Sequence, residues 1–275
     1  DHRYLHSFPT RRSSDLEQLG VGPENLILGN GSNEVLEFVG HALILPGSEV
    51  VVSEYCFAVY PIVTHLCGGK LVSVPAREYG HDLHAMLRAI TPRTAAVFVA
   101  NPNNPTGTLA PDNEVLDLIH EAPPHVLVVL DEAYIEFLER PLDLLELVRS
   151  GAKPNLVLTR TFSKIHGLAE LRPGYGIGGV EIIAACEKVR QPFNINTMAQ
   201  VAALAALDDE DHQRRTRENN AVGLRFLEEA FGVLGLPFVR SHANFVLVRV
   251  GDGQRVFNEL QRQGVIVRPM GGYRL

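Results

Sequence analysis

Lys164 closes the run TFSK, with hydroxyls on Thr161 and Ser163 beside it and Arg172 a short distance beyond. Hydroxyls and a guanidinium suit a phosphate. A lysine held among them, partly desolvated, has a lowered pKa and can form an imine. The chain's other lysines read as solvated surface groups: Lys70 in a Gly-Gly-Lys turn, Lys153 in a polar loop, Lys188 on a helix face. Asp131 opens the run DEAY directly after VLVVL. An acid at the end of so apolar a segment is costly without a partner. A cationic ring nitrogen would be one; capping a helix N-terminus is the plainer alternative.

Three further clusters could serve the same chemistry. GNGSNE, residues 29–34, combines flexible glycines with the start of a helical pattern. The N–H groups of Ser32 and Asn33 could seat an anion, or one of the two side chains could simply cap the helix. Phe57 could stack on a flat ligand or be an ordinary core aromatic. NPNNPTG, residues 101–107, forms a rigid turn, yet its three amides exceed what a turn requires, and Asn104 is the best ligand candidate. His81 and His84 lack an evident third metal ligand and read as helix-surface residues. His166 reads as structural.

Positioning these groups takes alternating strands and helices. Apolar runs fall at 26–28, 50–52, 71–74, 95–100, 126–130 and 156–158, with helical patterns at 33–43, 57–66, 83–90, 113–120 and 142–148. That alternation predicts an α/β fold, a three-layer sandwich around a mostly parallel sheet, which places ligands at the strand ends. After about residue 191 the rhythm changes. Helices are expected over 196–207, 211–234 and 254–263, and strands over 244–250 and 265–268. We therefore expect a large cofactor-binding domain over 17–192 and a smaller, incomplete α+β domain over 193–275. Residues 1–16 fit no element and resemble a translated sequencing adapter, a non-native leader. With no closing helix after GGYRL, the chain reads as a piece lacking both ends.

Composition excludes several classes. The 275 residues carry a net charge of −7, with no long basic run, which disfavours nucleic acid and membrane surfaces. No apolar stretch approaches the ~18 residues of a membrane span. Three cysteines, none in a CxxC pair, fit a reducing cytoplasmic compartment.

Taken in order, GSNE, an aromatic, NPNNPTG, DEAY and S-K-x-x-x-L-A-x-L-R-x-G-Y resemble the fold-type I pyridoxal-phosphate aminotransferases over roughly residues 17–275. The segments GNGSNEVLEF, NPNNPTGT, LDEAYIEF, TRTFSKIHGLA and GVIVRPM are most similar to their histidinol-phosphate branch. The resemblance implies a homodimer with shared sites and a transaminase using 2-oxoglutarate and a small amino donor. It implies that Lys164 links covalently to pyridoxal phosphate and that Asp131 pairs with its ring nitrogen. Tyr134 and Asn104 would bind the phenolic oxygen, and Phe57 the ring face. Ser32, Asn33, Thr161, Ser163 and Arg172 would hold the phosphate, and Arg268 would contact substrate. Aromatic-amino-acid aminotransferases and threonine-phosphate decarboxylases share this cofactor shell. A non-catalytic phosphate-binding module built on GNGSNE would leave Lys164, Asp131 and Asn104 without a role.

Overall fold

The computed structural model describes residues 19–273 and Leu275, so the expected leader lies outside the described residues. Seven strands form one sheet: β1 (Leu26–Asn30), β2 (Glu49–Ser53), β3 (Lys70–Val74), β4 (Thr94–Ala100), β5 (Leu127–Asp131), β6 (Leu156–Thr161) and β7 (Pro173–Gly178). Their spatial order is β1-β7-β6-β5-β4-β2-β3. The strands from β6 to β3 pair in parallel, whereas β7 runs antiparallel to both β1 and β6.

The β-branched runs make strands because both faces of the sheet are covered. Leu127 and Val129 point to one layer, Val128 and Leu130 to the other. The first layer consists of α1 (Ser32–Leu43), α2 (Val59–Leu66) and α6 (Val180–Val189), which contribute Val35, Leu36, Phe38, Tyr60, Val63 and Ile183. The second contains α3 (Leu83–Arg88), α4 (Asp112–Glu121), α5 (Leu145–Arg149) and α7 (Thr197–Asp208), through Met86, Leu118, Ile119, Val148 and Ala203. Each fully buried large aliphatic side chain contributes about 1.5–3 kcal/mol, so the sheet and its two layers form the rigid part of the molecule.

Strand β7 escaped the sequence reading, because PGYGIG reads as a loop. Its glycines answer a steric demand. A Cβ on Gly174 would collide with the backbone of Gly31 and Ser32, and one on Gly176 would press on Val35 at 2.6 Å. The start of α1 lies directly against β7, and only glycine leaves room for it.

Beyond α7 come α8 (Glu210–Val233), a two-stranded antiparallel ribbon of β8 (Phe238–Val239) and β9 (Leu247–Val248), and α9 (Gly253–Arg262). The strand expected over 244–250 shrinks to β9, and the one expected over 265–268 is irregular, its residues Val265, Ile266 and Val267 exposed. A strand forms only where a neighbour accepts its backbone hydrogen bonds, and this segment has no ladder partner among the described residues. Helix α8 attaches through polar side chains to main-chain carbonyls. His212 Nε2 reaches Ile165 O (3.1 Å), Arg217 Nε donates to Glu136 O (2.7 Å), and Asn220 Nδ2 donates to Ala243 O (3.0 Å). Among the described residues no helix is long and apolar enough to cross a membrane.

Candidate active site

The site gathers at the C-terminal tips of β4, β5 and β6. Asp131 ends β5, aligned with Ala100 of β4 and Thr159 of β6. It is 4% exposed. No helix begins there, so the capping alternative fails. Tyr60 Oη instead donates to Oδ2 at 2.9 Å and Thr159 Oγ1 to Oδ1 at 3.2 Å. Burial pushes the carboxyl's pKa up; these hydrogen bonds, one from the Ala133 backbone, and the Lys164 charge pull it down. Each carboxylate oxygen thus has a neutral donor. The arrangement favours an additional cation beside the carboxylate.

Lys164 lies in the turn after β6, and its Nζ stands 5.2 Å from the centroid of the Tyr134 ring. Partial burial lowers its pKa, and the charges of Arg172 and Arg268 lower it further, against the opposing effect of Asp131. A larger share of the amine is therefore uncharged and nucleophilic near neutral pH than in a free lysine. Tyr134 is buried and receives a hydrogen bond from Asn104 Nδ2 at 3.4 Å. The other two amides of the turn serve the turn itself. Asn101 Oδ1 accepts from Ala110 N, and Asn103 Nδ2 donates to Tyr55 O and Thr106 Oγ1. Asn104 alone of the three reaches Tyr134. Phe57 precedes α2 and meets Tyr60 edge to face at 5.7 Å.

A group of hydrogen-bond donors adjoins this cluster. Helix α1 opens at Ser32 behind Gly31, whose φ of +79° suits glycine, and no side chain caps the first turn. The Asn33 side chain turns down the helix to Glu37 and so does not cap the first turn. Arg172, at a φ of +59°, carries its guanidinium to the same place: a Cβ on Gly31 would lie 2.6 Å from its Nη2. Thr161 Oγ1 accepts from Ser163 N at 3.1 Å and keeps its own proton free to donate. Ser163 Oγ is buried without a hydrogen-bond partner. An uncapped helix start, an unpartnered hydroxyl and a guanidinium together form a donor set for a phosphate. Ser32, Asn33, Phe57, Asn104, Asp131, Tyr134, Thr161, Ser163, Lys164 and Arg172 thus converge on one region. Arg268 lies in the irregular segment near the chain's end, exposed, with its charge acting on both Lys164 and Tyr134.

This convergence has counterparts of known kind. The chain matches the model of the family Aminotransferase class I and II over residues 8–275. It is 52% identical over 264 residues to histidinol-phosphate aminotransferase 2 of Ralstonia nicotianae, covering 94% of this chain and 70% of that protein. The chain belongs to the class I and II aminotransferases. A second relative, histidinol-phosphate aminotransferase of Akkermansia muciniphila, is 48% identical over 96% of the chain and 72% of its own length. Among solved structures, the aminotransferase superposes on histidinol-phosphate aminotransferase of Sinorhizobium meliloti in complex with pyridoxal-5'-phosphate. That match has a TM-score of 0.88 and 30% identity, over 96% of this chain and 75% of the other.

Two residues of the site, Tyr60 and Thr159, went unnoticed in the sequence, where both look like core positions. The available signal was indirect: a buried acid requires donors, and Thr159 is its register partner on β6. His81 corrects an expectation. It is buried ahead of α3, not on a helix surface, and its Nε2 donates to Ala100 O at 2.8 Å. Asp131's neighbour Glu132 faces the opposite layer, where it pairs with Arg160 at 2.8 Å.

Proposed function

We propose that this aminotransferase uses pyridoxal phosphate to move an amino group between L-histidinol phosphate and 2-oxoglutarate, a step of histidine biosynthesis. The observation that carries the cofactor assignment is the placing of Asp131 at the tip of β5 and Lys164 in the turn that follows the neighbouring strand β6, close enough for each charge to act on the other, together with an uncapped helix start. The relatives at 52% and 48% identity support the amino donor. Bound pyridoxal phosphate supplies an electron sink for charge that develops at the substrate's Cα. The chain's residues do the rest. Lys164 Nζ would anchor the cofactor and, once freed, would hold and return the proton at the substrate's Cα as general acid and base. Asp131, as an anion, holds a positive charge at the ring nitrogen. Tyr134 Oη and Asn104 Nδ2 would hydrogen-bond the phenolic oxygen, and Phe57 would cover the ring. The phosphate takes the N–H groups of Ser32 and Asn33, the Thr161 and Ser163 hydroxyls and the Arg172 guanidinium. Arg268 contacts the substrate. The enzyme works as a cytoplasmic homodimer, with small molecules as its other partners.

The test is reconstitution. Purified protein mixed with pyridoxal phosphate should turn yellow, and borohydride should fix the cofactor on the peptide containing Lys164. The Lys164→Ala variant should lose both the colour and turnover; retained transamination would refute the assignment. A panel of amino donors with 2-oxoglutarate should favour L-histidinol phosphate over aromatic amino acids, and threonine phosphate should give no decarboxylated product.

A further inference from the structure

Tyr60 has no part in the chemistry above, yet its placement is tightly determined. It sits on the first turn of α2 and is 1% exposed. Its ring stacks on Phe98 of β4, with centroids 5.0 Å apart and planes 12° from parallel, and meets Phe57 edge to face. Held between two rings, the phenol delivers its proton to Asp131 Oδ2 at 2.9 Å. Thr159 supplies the matching donor to Oδ1 at 3.2 Å. One side chain therefore touches both Asp131 and Phe57, the groups proposed to hold the ring nitrogen and to cover the ring.

We propose that Tyr60, seconded by Thr159, is a positioning residue whose hydroxyl keeps the Asp131 carboxylate ionised and aimed at the cofactor's ring nitrogen. This rests on the cofactor reading given above. The physical reason is the buried setting. A carboxylate there stays charged only while hydrogen bonds replace lost water. Neutral donors accomplish this without cancelling the negative charge, which a lysine or arginine at the same place would do. Remove the phenol proton and Asp131 takes up a proton of its own, and its attraction for a ring cation is lost.

The experiment compares two ligands on the apo protein by absorbance titration: pyridoxal phosphate, and its 1-deaza analogue, which carries C–H in place of the ring nitrogen. Tyr60→Phe preserves the stack on Phe98 and deletes only the hydroxyl. The Kd for pyridoxal phosphate should rise about tenfold or more, as for loss of a buried hydrogen bond to a charged group. The Kd for the deaza analogue should stay within about twofold. An equal loss for both ligands would mean that Tyr60 merely shapes the wall, and no loss for pyridoxal phosphate would mean that its proton is dispensable; either overturns the proposal. If Tyr60→Phe does not fold, the same comparison on Thr159→Val decides. A wild-type protein that binds the two compounds equally well would overturn the reading of Asp131 itself. That result is distinct, because it appears before any substitution is made.

Discussion

At the scale of single residues, the acids on the two faces of β5 and its following turn do different work. Asp131 is the one whose charge the chemistry needs. Asp131→Ala should keep the yellow colour of the lysine-bound cofactor but slow single-turnover proton transfer by about 10²–10³-fold, the usual cost of one preorganised electrostatic contact. An unchanged rate would remove Asp131 from that role. Glu136, two residues beyond Tyr134, is the opposite case. Burial raises its pKa to about 7, and the nearby charges of Arg160 and Arg217 only partly offset that, with Glu132 adding to the rise. Its Oε2 has no hydrogen-bond partner. The folded state therefore binds a proton that the unfolded chain releases near pH 4.5, and stability falls as pH rises from there to about 7. Glu136→Gln should stabilise the protein at pH 8 by about 3 kcal/mol relative to the unchanged chain. That advantage should vanish near pH 4.5 in urea melts. A difference independent of pH would show that Glu136 is not buried as a neutral acid.

Elements explain what the sequence could and could not reveal. Strands β2, β4 and β5 are legible because short unbroken apolar runs between turns fit a sheet covered on both sides. Lys164, Asp131 and Asn104 were legible because a charged or amide group at the end of such a run demands a partner. Strand β7 was hidden because its residues were chosen for absence of bulk, and a lack of side chains looks like a turn until α1 is seen beside it. Tyr60 was hidden for the reverse reason: its ring belongs to the core and only its last atom to the site. Segment 265–268 has the apolar character of a strand and forms none, since that character alone cannot supply a neighbouring strand. The packing of α1 on β7 makes its own prediction. Gly174→Ala should cost about 3 kcal/mol in chemical denaturation, the upper range for overpacking, and should weaken phosphate-bearing ligands along with stability. A fully stable Gly174→Ala would mean that α1 and β7 are not in contact.

For the whole molecule, the site uses the sheet as a fixed frame. Asp131 and Thr159 are neighbours across one rung of the ladder, so no loop movement separates them. Ligand binding to so preformed a site should appear as stability. Pyridoxal phosphate at about 100 times its Kd should add about 2.7 kcal/mol to unfolding, seen as a rise in Tm that grows with concentration. A Tm indifferent to the compound would contradict the assignment.

The attachment of α8 has a further consequence. Three of its anchors, at His212, Arg217 and Asn220, grip peptide oxygens, of Ile165, Glu136 and Ala243. Peptide oxygens are the same whatever amino acid bears them. The grip of α8 at these points is therefore indifferent to side-chain chemistry, while Ile165 and Ala243 are themselves buried with Tyr134 and Phe137, so the helix fastens the loops around Tyr134 by their backbone alone.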